Sequence, residues 1–163
     1  WIGIRDARDH HGGEILDTRE RTNELGIANS SARVLPRGTV CLSRTASVGY
    51  VVKMGQDMAT SQDFVNWICG DDLEPDFLLL LLLAQGEEIR RFASGSVHQT
   101  IYYPELKAFH ICHPSRELQQ QIVIAFRRLS QKVEYLEKIY VQKLSDIENL
   151  RQSIMQQAFS GRL

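Results

Sequence analysis

The sequence predicts an α+β protein in which a mixed-sheet domain is followed by a long C-terminal coiled-coil helix. All eleven glycines except Gly161 lie in the first 113 residues, whereas residues 115–159 contain neither Gly nor Pro. The first region also mixes β-rich runs with short helical stretches and shows no regular βαβ alternation, which favours the α+β class. We therefore divide the chain into a globular domain at residues 1–113 and a helix at residues 115–159.

Three β-rich runs are expected to form strands in the first region. Residues 38–44 are entered from a Pro-x-Gly turn, Pro36 to Gly38, and residues 48–54 follow them after three intervening residues. These two runs predict a hairpin around Thr45 to Ser47. A third strand is expected at residues 64–69.

A helical stretch follows, because Glu74, Pro75 and Asp76 suit a first helical turn. Gly86 is expected to divide this stretch into two short helices. The runs "TIYY" and "FHICH" predict further strands with a turn at residues 104–106.

The last region predicts one helix with a narrow apolar stripe. Pro114 and Ser115 supply a stop and an N-cap, and Glu117 complements the dipole of the first turn. The stripe repeats every ~3.5 residues, with an irregular step near Leu144, and is typical of a coiled-coil seam. A helix of about 65 Å is longer than the preceding domain is wide, so we expect the seam to pair outside that domain. The seam residues are Ile122, Phe126, Leu129, Val133, Leu136, Tyr140, Leu144, Ile147, Leu150 and Ile154.

Composition narrows the function classes. The longest apolar run is far shorter than the ~20 residues of a membrane-spanning helix, so no membrane contact is expected. Three cysteines without metal-type spacing argue against a disulfide framework and favour the cytoplasm. The net charge of −1 means that any contact with nucleic acid must come from a local basic cluster.

Two segments are candidates for DNA contact. Short hydroxyls and an arginine at the predicted hairpin tip suit phosphate or base edges, although a solvated turn would have the same composition. Residues 93–100, beside Arg90 and Arg91, are small and polar and are either a second contact or a simple connector. With the nearby basic side chains, the candidates are Arg33, Arg37, Arg44, Thr45, Ser47, Lys53, Arg90, Arg91, Ser96, His98 and Gln99.

The sequence gives no support for catalysis or metal binding. It contains no G-x-S-x-G, P-loop, dinucleotide-binding or H-E-x-x-H motif. The run "HICH" and the pair His10–His11 do not have the usual zinc spacing. We expect a non-enzymatic protein without a metal.

Several separate blocks, in order, resemble the specificity subunit of type I restriction-modification enzymes. They are "LPRGTVCLSRTASVG", "MATSQDFVNWIC", the stretch from "FLLLLLLAQGEEIRRF" to "HPSRELQQQIV", and "LEKIYVQKLSDIENLRQSIMQQAFSGRL". The resemblance implies that residues 1–113 are a target-recognition domain and that residues 115–159 are a dimerisation and spacer helix. A full subunit of this kind has two such domains, each followed by a helix, and the two helices pair antiparallel.

The same resemblance implies the partners. Each domain reads one half of a bipartite site in double-stranded DNA, and the helices dock adenine-methyltransferase subunits that bind S-adenosylmethionine. The assembly also recruits a translocating restriction subunit. This chain is expected to bind no cofactor itself.

One domain and one helix leave two interpretations of the chain. It is either a half-size subunit that forms a homodimer or a C-terminal fragment, with an N-terminally incomplete domain, that pairs with a second specificity half. An alternative from another class is a coiled-coil assembly protein whose head binds protein and no longer reads DNA.

Overall fold

The structure is a computed structural model that describes residues 1–93 and 99–161. The chain separates into two compact units, of which the first is Trp1–Val123 and the second begins at Ile124. The elements in chain order are α1 (Ile4–Asp9), β1 (Glu14–Ile15), α2 (Glu24–Ala28), β2 (Val40–Ser43), β3 (Val51–Met54), β4 (Phe64–Trp67), α3 (Pro75–Ala84), α4 (Gly86–Arg91), α5 (Tyr103–Lys107) and α6 (Arg116–Phe159).

The four strands form one mixed sheet in the order β1-β3-β2-β4. β1 runs parallel to β3, whereas β2 is antiparallel to both β3 and β4. The predicted hairpin is confirmed: Val40 pairs with Lys53 and Leu42 with Val51, and residues 45–47 lie in the connecting loop. The mixed-sheet α+β class and the long C-terminal helix are confirmed as well.

Both faces of the sheet are covered, because successive side chains of a strand point to opposite faces. Val40, Leu42 and Val51 pack on one face against the buried leucines of α3 and Ile89 of α4. Cys41, Val52 and Met54 pack on the other face with residues that come from the N-terminal part of the chain, among them Ile2, Ala7 and Ile15. All four residues of β2 are therefore buried.

The predicted start of the helical stretch after β4 and its division into two short helices near Gly86 are confirmed. Pro75 occupies the first turn of α3, where its missing N–H costs no hydrogen bond, and Asp76 lies in the same turn. The first helix ends at Ala84, and Gly86 opens α4.

Two predicted strands are wrong. The run "TIYY" contains no strand, and α5 begins at its last residue, with Pro104 in its first turn in place of the expected isolated turn. Residues 109–113, the "FHICH" run, have no regular secondary structure. Short apolar runs do not distinguish a strand from single residues anchored in a core. Here Ile101 is buried in the core, and Phe109 and Ile111 pack against it as single partly buried residues. The prediction also missed α1, β1 and α2, and β4 ends at Trp67, before Cys69.

α6 is a helix of 44 residues. Glu117 lies in its first turn as expected, and the pKa of this carboxyl group is lowered, first by a hydrogen bond from its own backbone N–H and then by one from the Ser115 side chain. Within the part of the chain that the structure describes, no helix is both long and apolar enough to cross a bilayer.

Candidate nucleic-acid interface

The loop between β2 and β3 is held in one conformation by the turn that precedes β4. The backbone N–H of Arg44 donates to the carbonyl of Asp63 at 2.7 Å. The hydroxyl of Thr45 donates to the Asp63 carboxylate, and the hydroxyl of Ser61 donates to the other carboxylate oxygen at 3.1 Å. Ala46 closes the loop with a positive φ of 58°. Asp63 thus fixes the segment that carries Arg44 and Thr45.

Arg44 lies flat against an aromatic ring beside this loop. Its guanidinium carbon is 4.7 Å from the centroid of the Tyr103 ring, and one terminal nitrogen donates to the carbonyl of Gln62 at 3.2 Å. Its Nε is buried and has no hydrogen-bond partner among the described residues. Arg44 lines a groove of about 580 Å³ together with Arg33, Ser61, Asp63, Asn66 and Tyr103. The groove therefore presents cationic, hydroxyl and carboxylate groups side by side.

Two further arginines contact the same loop at its far end. Arg90 packs so closely on Gly49 that a Cβ at this glycine would lie 3.0 Å from Arg90 Nε, and the φ of +101° at Gly49 also disfavours any other residue. Arg8, on α1, lies over the Tyr50 ring at 5.9 Å. We use "arginine-flanked loop" for residues 44–50 with Arg8 and Arg90. Its three arginines place positive charge at both ends of a polar loop.

The other candidate DNA contacts are spread more widely. Arg33, Arg37 and Gln99 are exposed. Arg91 is exposed too but forms an ion pair with Glu88 at 2.6 Å. The remaining candidates in residues 93–100, Ser96 and His98, lie outside the described residues.

Lys53 is the exception among the basic candidates. Its side chain is only 13% exposed, and its Nζ is 2.6 Å from Asp76 and 3.5 Å from Glu14. Both carboxylates compensate its charge inside the fold, so the geometry does not favour a contact with phosphate. We leave Lys53 out of the proposed DNA surface.

The first turns of α6 are fastened to the globular unit by a buried glutamine. Gln119 is fully buried, accepts the backbone N–H of Glu74 at 2.8 Å and donates to the carbonyls of Asp72 and Pro114 at 2.9 and 2.8 Å. Arg116, one turn earlier, donates to the carbonyl of Asp71 and pairs with Glu74. We call these contacts the Gln119 clasp.

Beyond the clasp, the helix presents its apolar seam to solvent. All ten seam residues are exposed, from 40% at Ile122 to 67% at Leu144. Side chains of this size are normally buried against a partner, and a continuous exposed stripe marks an interaction surface. The seam is therefore a candidate interaction surface of α6.

The sequence analysis did not identify three residues as part of this site. They are Arg8, which belongs to the arginine-flanked loop, and Asp63 and Tyr103, which contact it. Asp63 was visible as part of "SQDF" but had no evident partner, because Thr45 is 18 residues away. The register of β2 with β4 indicates this contact. Ser43 pairs with Phe64, so Arg44 and Thr45, which follow Ser43, lie next to Asp63, which precedes Phe64. No sequence signal places Arg8 or Tyr103 there. Among the described residues, no three His, Cys, Asp or Glu side chains form a group that could hold a metal ion.

Solved structures share this architecture. A chain from a structure of the type I restriction-modification system, solved to explain its complex assembly and conformational transition, matches 80% of this chain with a TM-score of 0.66 and 25% identity. The HsdS subunit from Thermoanaerobacter tengcongensis matches 80% with a TM-score of 0.54 and 22% identity, and this likeness concerns the fold. The matched regions make up 33% and 31% of those two chains. The fold of this chain is thus shared with about a third of each of these two solved chains.

Sequence comparison gives the family. The specificity subunit of the type I restriction enzyme MjaIX from Methanocaldococcus jannaschii is 26% identical over 140 residues, which are 85% of this chain and 32% of the relative. The family model for the type I restriction modification DNA specificity domain matches residues 5–143. The chain belongs to this family, and it spans about a third of the length of the relatives it matches.

Proposed function

We propose that this chain reads one half of a bipartite DNA site as a specificity subunit, or half-subunit, of a type I restriction-modification system. The observation that carries the proposal is the family match over residues 5–143, which covers the globular unit and more than half of α6 as one continuous module. The chain itself acts by binding and carries out no catalysis.

The arginine-flanked loop supports DNA contact. Arginines supply phosphate contacts that fix a protein on the duplex, and short polar side chains between them can reach base edges. The loop is also rigidly braced, by Asp63 at one end and by Arg90 against Gly49 at the other. Bracing lowers the entropy lost on binding. A local cluster of this kind offsets the near-neutral charge of the whole chain.

The exposed seam supports pairing of α6 with a second such helix. A fully buried side chain of this type contributes about 1.5–3 kcal/mol, and the seam residues are already partly covered by their own helix. Pairing two helices buries ten seam residues on each. If each residue gains only half of that value, the total of about 15–30 kcal/mol still offsets an association cost of about 4–15 kcal/mol. The second helix comes from another copy or from a second specificity half.

The spacing of the seam favours a second copy in antiparallel orientation. Four pairs of seam residues lie at equal distances on either side of Lys138: Ile122 and Ile154, Phe126 and Leu150, Leu129 and Ile147, and Leu136 and Tyr140. In an antiparallel dimer with its twofold axis at Lys138, the members of each pair meet at the same level of the interface. Only Val133 and Leu144 depart from this symmetry, by one residue, at the irregular step.

One pair of charged residues agrees with the same orientation. The symmetry about Lys138 places Arg128 at the level of the partner's Glu148, so an antiparallel pair brings these two opposite charges together.

The paired helices would hold two heads apart on one duplex and dock the adenine-methyltransferase subunits, which would carry the S-adenosylmethionine. A helix of 44 residues is about 66 Å long, which matches about 19 base pairs of duplex. Two heads at the ends of such a pair could reach half-sites one to two helical turns apart.

Fluorescence anisotropy on duplexes with randomised half-sites tests the proposal, with and without a methyltransferase subunit. We expect binding that weakens steeply with salt in at least one of the two mixtures, because released counterions drive phosphate contacts. No binding in either mixture would contradict the proposal and favour an assembly protein whose head binds protein.

A further inference from the structure

One side of the arginine-flanked loop can accept hydrogen bonds from a ligand but cannot donate them. A carboxylate can only accept hydrogen bonds, so the contacts of Asp63 with Thr45 and Ser61 oblige both hydroxyls to donate their single proton to it. The oxygens of Thr45, Ser61 and Asp63 then have no proton left to donate and can only accept, although Ser61 already accepts the backbone N–H of Asp63 at 3.4 Å. We name these three residues the acceptor edge.

The acceptor edge is accessible and is framed by cations. Its three residues are all partly exposed, and Ser61 and Asp63 line the groove of about 580 Å³ together with Arg44. The Arg44 guanidinium, which lines the same groove, contacts the Tyr103 ring and donates to the Gln62 carbonyl. The edge therefore keeps open acceptor capacity in a positively charged setting.

We propose that the acceptor edge binds the exocyclic amino group of one base, cytosine N4 or adenine N6, in the major groove. This inference rests on the proposed function and specifies its ligand chemistry. Those two amino groups are the hydrogen-bond donors that the major groove presents, whereas guanine and thymine present acceptors at the corresponding positions. Guanine O6 or thymine O4 would set lone pairs against lone pairs at the edge. The edge thus distinguishes the two bases of a pair, because only one of them presents an amino group in the major groove.

The first arm of the test changes the DNA and leaves the protein as it is. A duplex library with a randomised segment is selected on the unaltered chain, together with a methyltransferase subunit if binding requires it. Each cytosine or adenine of the selected half-site is then replaced by 2-pyrimidinone or purine, which lack the amino group. We expect one position at which this deletion weakens binding by about 10- to 100-fold. The base at that position identifies the source as cytosine or adenine.

The second arm changes the edge. Asp63→Asn replaces an acceptor by an amide that can also donate, so the preference at that position should shift towards guanine or thymine. Thr45→Val keeps the shape of the side chain and removes one acceptor, so the penalty for deleting the amino group should shrink. Asp57→Asn is the matched control, because Asp57 also braces a loop by accepting a backbone N–H, that of Arg37, at 2.8 Å. This control should leave the base preference unchanged.

The outcomes separate the two claims. If the unaltered chain binds no duplex in either mixture, the proposed function is wrong and this inference falls with it. If the chain binds but no single amino deletion matters, or Thr45→Val and Asp63→Asn retain the original base preference and deletion penalty, only the inference is wrong. Should Asp63→Asn fail to fold by circular dichroism, the amino deletions and Thr45→Val decide alone.

Discussion

The side-chain oxygen of Gln119 accepts the backbone N–H of Glu74 at 2.8 Å, across 45 residues of sequence. Glu74 is the residue that precedes α3, so this hydrogen bond joins the start of one helix to the second turn of another. The amide nitrogen of the same side chain satisfies the carbonyls of Asp72 and Pro114. One buried side chain thus completes the hydrogen bonding of two chain segments.

The first prediction concerns this clasp. Gln119→Ala should lower the free energy of unfolding by about 1–3 kcal/mol, because it removes the buried side chain that pairs one partly buried N–H and two carbonyls. Urea unfolding at one fixed protein concentration, followed by tryptophan fluorescence, measures the change. The exposed neighbour provides the control, since Gln120→Ala should alter stability by less than about 0.5 kcal/mol. Equal effects of the two substitutions would show that the clasp does not stabilise the fold.

The second prediction concerns the phosphate contacts of the arginine-flanked loop. Arg8→Gln and Arg90→Gln should each reduce the salt dependence of DNA binding, by about 0.9 in the slope of log affinity against log salt concentration. Anisotropy titrations at several salt concentrations measure this slope. Arg21→Gln is the control, because Arg21 is an exposed arginine paired with Asp17 and lies outside the loop. Slopes that stay the same in all three variants would remove Arg8 and Arg90 from the interface.

The third prediction concerns the register of the paired helices. In a background with Cys69→Ser and Cys112→Ser, chains carrying Leu129→Cys should form disulfides with chains carrying Ile147→Cys when the two are mixed and oxidised. Neither variant should cross-link with itself, because antiparallel pairing keeps identical positions far apart and a disulfide needs Cα atoms within about 7 Å. Non-reducing gel electrophoresis reads the result. Self-cross-linking of Leu129→Cys would indicate parallel pairing instead.

The fourth prediction concerns the native thiols. Burial raises the pKa of the Cys41 thiol to about 12, and burial also raises the pKa of Cys69, whereas Cys112 is exposed. The thiolate is the reactive form, so at pH 8 Cys112 should react first with a disulfide reagent and Cys41 only after unfolding. Because the folded pKa of Cys41 is raised, its contribution to stability is lost as the pH rises from 9.0 towards about 12. Rapid labelling of Cys41 in the native chain would contradict its burial.

Local signals predicted the parts of the fold that depend on local chemistry. The hairpin, the break between α3 and α4, and the start of α6 each follow from turn residues, a proline or a cap within a few positions. β1 is only two residues long and pairs in parallel with β3, about 40 residues away, so no local pattern indicates it. The strands wrongly predicted before α6 came from apolar residues that the core uses as single anchors.

Some residues of the candidate site could likewise be predicted from local sequence, whereas the roles of others depend on contacts between distant segments. Arg44 and Thr45 could be selected because they lie at the tip of a predictable hairpin. Lys53 was selected for its charge, yet β1 and α3 bring Glu14 and Asp76 against it, and only the three-dimensional structure reveals this pairing. Asp63 became visible once the β2–β4 register was known, and it determines which hydrogen bonds the loop can still make.

The molar mass in solution tests the central claim, that the exposed seam of α6 pairs with a second helix. By multi-angle light scattering, the unaltered chain should have about twice its mass of 18.6 kDa. The double variant Leu136→Lys, Tyr140→Lys should have the mass of one chain and keep the circular dichroism of the folded head. A single-chain mass for the unaltered protein, or an unchanged dimer in the double variant, would contradict pairing through this seam.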